Sequence, residues 1–386
     1  MPNSVAPWVY PLHLSVLLPA LRRIDFPYHE GLTLTIRPHV PPPPFGLSGY
    51  TRGEGRKLAP EEEVAKFLKS EWCLRNPPAE THPHPDAAET QTLKIIQAIA
   101  CKNGRGAQIV RCHLGDDDRS YVAKIYDPLY YPVAGPADVA YLADQDYSRE
   151  AAAFEDLMAA GVDGQFTPKY YGSWTFHIPL PGTSELRPVR LVLLEWLDGV
   201  DLWSIMERDG RVNRGLHTIP PKERLEIFAR AAEADMNVKF HGVLHRDFAP
   251  RNVMIVVSAT DGSPTLRVVL IDFNRSICVN RPNYQNRQFY VQESLPVSPR
   301  YRWWGGCPNE FSQWVPDPHR SDAAVFNGWL VTRWPDPSSG YLLLPLDRRR
   351  QTYTVGLIEH ASPVPDTKHV FAQVYRRHYE LPPMSE

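Results

Sequence analysis

HGVLHRDFAPRNVMIVVSATDGSPTLRVVLIDFN, residues 241–274, holds two short polar motifs separated by two apolar runs. The first motif is His245-Arg246-Asp247 with Asn252 five residues beyond the aspartate, and the second is Asp272-Phe273. The runs, Val253 to Val257 and Leu266 to Ile271, are short and rich in β-branched residues, so both read as buried strands. Between them Ala259 to Pro264 is turn chemistry with Asp261-Gly262 at its centre. Folded about Gly262, positions 252 and 272 each lie ten residues from the turn and reach the same open end. Residues opposite one another in an antiparallel pair sit roughly 4.5–5.5 Å apart. The amide oxygen of Asn252 and the carboxylate of Asp272 are thereby expected to share one hard cation. Mg²⁺ takes oxygen ligands and keeps room for water and phosphate. With Asp247 one loop away, these residues describe a phosphoryl-transfer centre.

The same residues resemble the catalytic and metal-binding loops of the protein-kinase family. His245 to Asn252 matches the family's H-R-D-x-x-x-x-N, and Asp272-Phe273 matches the first two residues of D-F-G. The resemblance implies that Asp247 accepts or orients the acceptor hydroxyl, and that Asn252 and Asp272 hold Mg²⁺. Arg251 beside the asparagine is closer to the tyrosine-kinase form of the loop, but two residues do not set the acceptor. His245 reads as a core histidine bracing the loop rather than as a base. The sequence departs from the family at Asn274, where glycine is usual. It also departs beyond, where no A-P-E and no clear D-x-W-x-x-G follows.

Toward the N-terminus, Leu93–Ala100, Gln108–His113 and Ser120–Tyr126 read as three strands joined by turn-like CKNGRG and LGDDDR. Gly104 and Gly106 fall in the first connector, where a glycine-rich loop of the family would cover phosphates; a plain hairpin turn is the competing reading. Val122-Ala123-Lys124-Ile125 resembles V-A-I-K shifted by one residue, which implies that Lys124 binds the α- and β-phosphates of ATP. After a proline-rich insert, Asp127 to Asp138, residues 147–160 read as a helix with Ser148 near its start and Gly161 as its C-terminal cap. Glu150, Phe154 and Leu157 share one face of it, so Glu150 is the expected partner of Lys124, while Glu155 reads as solvated surface. Leu191 to Leu197 is a near-continuous apolar run, hence a buried strand. It resembles the approach to the kinase hinge, which implies that the backbone of Glu195, Trp196 and Leu197 meets adenine. Asp201 reads as a helix cap, with contact to a ribose hydroxyl as the alternative, and Pro221–Phe240 as a long amphipathic helix with Leu225, Phe228, Ala232 and Met236 inward.

The 386 residues are 43% apolar and 22% charged with a net charge of −2. The pI is near 6.7. Nothing in that balance selects a nucleic-acid partner, and no apolar run reaches the length of about 18 residues that suggests a membrane span. Leu14 to Leu21 contains Pro19 and follows no basic region, so it reads as part of the fold rather than a signal peptide. Cys73, Cys101, Cys112, Cys278 and Cys307 are scattered and form no C-x-x-C, which favours reduced thiols and a cytoplasmic or nuclear location.

Residues 1–90 are expected as an N-terminal extension, 91–197 as a small lobe and 198–386 as a large lobe with an atypical C-terminal part. Within the extension, Pro41 to Pro44 reads as polyproline II. Pro60 with Glu61, Glu62 and Glu63 reads as a helix start, followed by a helical stripe of Val64, Phe67, Leu68 and Trp72. The aromatic-rich segment from Tyr301 to Trp334 reads as core. It is similar to the distal part of atypical kinase-like proteins of filamentous fungi. The fold class expected is α+β, a two-lobed protein-kinase-like fold with a small antiparallel sheet and a larger, mainly helical lobe. The activity implied is ATP- and Mg²⁺-dependent phosphorylation of protein hydroxyls. Two alternatives stand beside it: a small-molecule kinase of the aminoglycoside type, and a pseudokinase acting as a binding or scaffold module.

Overall fold

Six strands toward the N-terminal end of the chain close a barrel. The structure, a computed structural model, describes residues 26–342 apart from 47–48, 51–54, 83, 87–88, 133–134, 208–215, 217–218, 261–262 and 336–339. Leu14 to Leu21, the turn residues Asp261-Gly262 and residues 343–386 of the expected large lobe therefore lie outside the described residues.

The barrel strands are β1 (Thr33–Pro38), β2 (Gln91–Ala100), β3 (Gln108–Leu114), β4 (Asp117–Tyr126), β5 (Tyr170–Pro179) and β6 (Leu186–Glu195). They close in the order β1-β2-β3-β4-β6-β5. Leu93 and Ile95, Val110 and Cys112, and Ala123 and Ile125 are fully buried at alternate positions of β2, β3 and β4, the period a half-buried strand dictates. The strands expected from sequence in β2, β3 and β4 are present, each longer by one to three residues.

Residues 33–38 correct the expectation of an extension outside the sheet. β1 pairs with β2 through Thr33↔Lys94 to Ile36↔Gln91 and with β5 through Arg37↔Thr175 and Pro38↔Trp174. The alternation Thr33-Leu34-Thr35-Ile36, with Leu34 and Ile36 buried, is a strand signal in plain view. The apolar stripe expected from Val64 to Trp72 is not one helix. α1 (Glu61–Val64) stops and α2 (Lys69–Arg75) restarts, leaving Leu68 70% exposed at the break.

The helix carrying Glu150 is also longer than expected. α3 (Val139–Ala159) begins two turns early, capped by Asp138, whose carboxylate accepts the Tyr141 N–H at 3.0 Å. Ser148, expected near its start, is buried in its middle. Gly161 follows at φ +69°, the left-handed position a helix end favours.

The remaining elements are β7 (Gly199–Asp201), α4 (Leu202–Glu207), α5 (Pro221–Phe240), β8 (Val243–Leu244), β9 (Val253–Thr260), β10 (Ser263–Leu270), β11 (Ile277–Cys278), α6 (Pro299–Arg302) and α7 (Ala323–Arg333). Phe228 on α5 meets Phe311, Phe326 and Trp329 at ring distances of 5.1, 6.0 and 5.9 Å, so the aromatic segment is core. All five cysteines are free thiols. No helix among the described residues is long and apolar enough to cross a membrane.

Candidate phosphoryl-transfer site

β9 and β10 form the expected hairpin, but in a register one residue from the expected one. Ser263 faces Thr260 and Leu270 faces Val253, so the register places residue 252 across from 271 rather than 272. A two-residue turn is the geometry Asp-Gly favours. Asn252 therefore lies opposite Ile271, whose N–H donates to the Asn252 carbonyl at 3.0 Å, and Asp272 stands one position further on. The backbone compensates there: Asp272 has φ +67° and Arg246 φ +61°, the two non-glycine residues with positive φ among the described residues. Such strained positions concentrate at functional sites.

Lys124 projects from β4 and is 7% exposed. Its ammonium donates to Glu150 Oε2 and to Asp272 Oδ1 at 2.6 Å. Burial alone would lower its pKa, but the Asp272 and Glu150 carboxylates outweigh that and raise it; Lys124 is charged. Glu150 is fully buried. Its Oε2 also accepts the Tyr126 hydroxyl at 2.5 Å, and its Oε1 the Phe273 N–H at 3.4 Å. Burial raises the Glu150 pKa, with Lys124 opposing. For Asp272, burial pushes the pKa up, but Lys124 pulls it below the usual carboxylate value. One carboxylate thus ties β4, α3 and the Asp272 turn together. Tyr126 was not singled out in the sequence, although at i+2 from Lys124 it must share that strand face.

On the facing loop, the Asn252 amide Nδ2 donates to Asp247 O at 2.8 Å and to Asp247 Oδ2 at 2.9 Å. Arg251, 56% exposed at its side chain, donates to Asp247 Oδ1 at 2.6 Å. His245 is buried, 3.0 Å from Ile271 O and 4.6 Å ring to ring from Phe273, the bracing role expected. Arg246 is exposed.

The donor set suits a magnesium ion. With Nδ2 committed to Asp247, Asn252 has Oδ1 left for a cation; with Oδ1 on Lys124, Asp272 has Oδ2 left. Among the described residues no group of three or more His, Cys, Asp or Glu is placed to hold a metal.

The other expected positions are less direct. Gly104 has φ +76° and donates its N–H to Tyr130 O at 3.0 Å. A Cβ on Gly106 would lie 3.9 Å from Asp146 Oδ2. The β2–β3 connector therefore lies near Asp146 on α3, one turn before Glu150. Asp146, raised by burial, is approached by Arg149, Lys124 and the Asn274 side chain. The Glu195 side chain is not free for a nucleotide: it pairs with Arg267 at 2.7 and 2.9 Å. The Leu197 side chain is buried, and its carbonyl accepts the Gly199 N–H at 2.9 Å. Asp201 caps α4, accepting the Ser204 N–H at 2.8 Å. Glu155, expected on solvated surface, instead pairs with Arg281 at 2.8 Å and is raised by burial.

No family model matches the chain. The chain is 37% identical over 68 residues to the serine/threonine-protein kinase PknB of Mycolicibacterium smegmatis, covering 18% of this chain and 10% of that one. It is 33% identical over 86 residues to PknB of Mycobacterium leprae, covering 22% and 12%. The matched stretch is thus about a tenth of the length of these curated relatives. Among solved structures, the kinase domain of Mycobacterium tuberculosis PknI is similar at 18% identity and a TM-score of 0.31, covering 66% of this chain and 79% of that one. An overlap at that identity and score adds nothing to the placement of individual residues. Over the matched stretch, the chain is similar to these serine/threonine-protein kinases.

Proposed function

We propose that the chain is an ATP- and Mg²⁺-dependent phosphotransferase acting on hydroxyl groups of proteins. The observation that carries this reading is Lys124, a buried charged ammonium held between Glu150 and Asp272, with Asp247 and Asn252 on the facing loop. In-line transfer needs positioning and charge neutralisation more than covalent help from the protein. Lys124 supplies positive charge to the α- and β-phosphates. Glu150 keeps that charge in place, and Tyr126 holds Glu150. The backbone of Glu195 to Leu197 is the proposed adenine contact, and Gly104 and Gly106 the proposed cover over the phosphates. Asp247 accepts the proton of the acceptor hydroxyl as its oxygen bonds to the γ-phosphorus and the bond to the leaving ADP oxygen breaks. Mg²⁺, held by Asn252 and Asp272, neutralises phosphate charge when bound.

The absence of A-P-E after Asp272 favours a second reading, a small-molecule kinase on the same centre, whereas Arg246 in place of the glycine usual there favours the first. Mg-ATP should raise the melting temperature of the wild-type chain. Lys124→Met should abolish that rise in a chain that still folds, with a lower nucleotide-free melting temperature because Glu150 is left buried without its cation. An unchanged rise would remove Lys124 from the site. Phosphate transfer is then assayed to the chain itself, to generic protein substrates and to aminoglycosides. Mg-ATP binding with no transfer to any of them would leave a pseudokinase.

A further inference from the structure

Residues preceding β2 make a continuous set of contacts that the chemistry above does not use. Trp72 Nε1 donates to Asp138 Oδ1 at 2.9 Å and the Ala59 N–H to Asp138 Oδ2 at 3.2 Å. Arg56 Nη1 and the Ala79 N–H both donate to Asp144 Oδ2, at 2.8 and 3.0 Å. His39 Nδ1 lies 2.7 Å from the Tyr147 hydroxyl. The backbone at Gly46 rests on the same helix face: a Cβ there would fall 1.6 Å from the Gln145 amide nitrogen. These contacts run along the first half of α3, from its cap to three residues before Glu150. Arg281 holds the second half through Ala152 O, Glu155 and Asp156. Glu150 lies between the two anchors on a helix that behaves as one rod.

The same segment also grips the chain that leaves Asp272-Phe273. The Tyr50 hydroxyl accepts the Cys278 N–H at 2.8 Å. Asn283 Nδ2 donates to Pro44 O at 2.7 Å, and Gln285 N to Gly49 O at 2.9 Å. Asp138 and Asp144 are both nearly inaccessible, and the segment supplies N–H donors to each of them, so their desolvation is matched by hydrogen bonds only while the segment is in place.

We infer that the described residues between 39 and 80 act as an intramolecular clamp that positions the Glu150 helix and the segment after Asp272 together, so that the chain's own N-terminal segment holds the centre in its assembled arrangement. Arg56, Trp72 and Tyr50 are positioning residues in this scheme. The consequence for turnover rests on the phosphotransferase reading; the mechanical part does not.

Hydrogen exchange on the full chain separates the two. Arg56→Ala should speed exchange of the amides of residues 139–150 by about tenfold, the effect of losing one charge-assisted buried bond, while β3 and β4 stay protected. Tyr50→Phe, which removes a single hydroxyl, should do the same for residues 277–285. In phosphotransfer, Arg56→Ala should lower kcat by about tenfold with the KM for ATP changed less, and Arg56→Lys should restore most of it. Unchanged exchange in both variants, with each chain folded, overturns the clamp whether or not the wild type transfers phosphate. Faster exchange with unchanged kcat overturns the positioning role. Wild type without transfer overturns the phosphotransferase reading alone, and exchange then still decides whether the clamp holds the helix.

Discussion

Asp247 is committed on every side: its carboxylate receives Arg251 and Asn252, and its N–H donates to His245 Nδ1 at 3.2 Å. A carboxylate held in that way is fixed in direction but still acceptor-only, as a proton acceptor must be. Asp247→Asn preserves the shape and removes the basicity. It should reduce turnover by ~10²–10⁴-fold and leave Mg-ATP affinity nearly unchanged, as read by initial rates beside a binding titration. Equal losses in both would mean that the residue binds rather than accepts a proton. Neighbouring Asn274, where the related motif has glycine, needs no special backbone. Positive φ falls on Asp272 at 67° and on Arg246 at 61°, each costing on the order of 1–3 kcal/mol unless its surroundings impose it. The Asn274 side chain instead reaches Asp146.

Among the elements, β7 shows how closely the site's floor is packed. It lies against β9 with Gly199 opposite Val256, and a Cβ at Gly199 would meet Ile255 O at 2.3 Å and Val256 Cγ2 at 3.0 Å. The nearest obstacle is backbone, so the strand has to move. Gly199→Ala should therefore destabilise the fold by roughly 1–3 kcal/mol, as overpacking does, seen as a lower urea midpoint with unchanged slope. Because β7 follows Glu195 to Leu197 directly, weaker ATP binding should accompany it. A midpoint equal to wild type would show that β7 slides without cost.

For the molecule as a whole, the wrapped N-terminal segment ties stability to pH. His39 is buried against Tyr147 and faces Glu80, Arg190 and His84. Burial first, then Arg190, push its pKa down to about 4, against the opposing pull of Glu80. A histidine depressed in the folded state takes up its proton more readily when unfolded. Stability is thus fully present above the unfolded value of about 6.5 and is lost as pH falls toward 4. The linkage amounts to on the order of 3 kcal/mol. Wild type should lose denaturant resistance between pH 7 and pH 4.5, and His39→Gln should flatten that part of the profile. Parallel profiles for the two chains would place the acid sensitivity elsewhere.

What the sequence determined by itself was local. The strands β2, β3 and β4, the helix α5, the hairpin of β9 and β10, and the inward face of α3 that carries Glu150 follow from periodicity and side-chain facing over a few residues; the pairing of Glu150 with Lys124 was implied by the kinase resemblance. The match of residues 245–252 and 272–273 to a kinase-like centre was legible for the same reason: each motif is short and contiguous. Only the tertiary structure decided the rest. β1 joins the barrel because its second edge is supplied by β5, well over a hundred residues away. Glu155 is half-buried and paired because Arg281 reaches it from more than a hundred residues away in sequence. The hairpin register differs by one residue from the expected one, and Asp272, at positive φ one position past the paired residue, meets Lys124, which projects from β4. Contacts between distant segments leave no period and no spacing in a sequence, and the clamp on α3 is made entirely of such contacts.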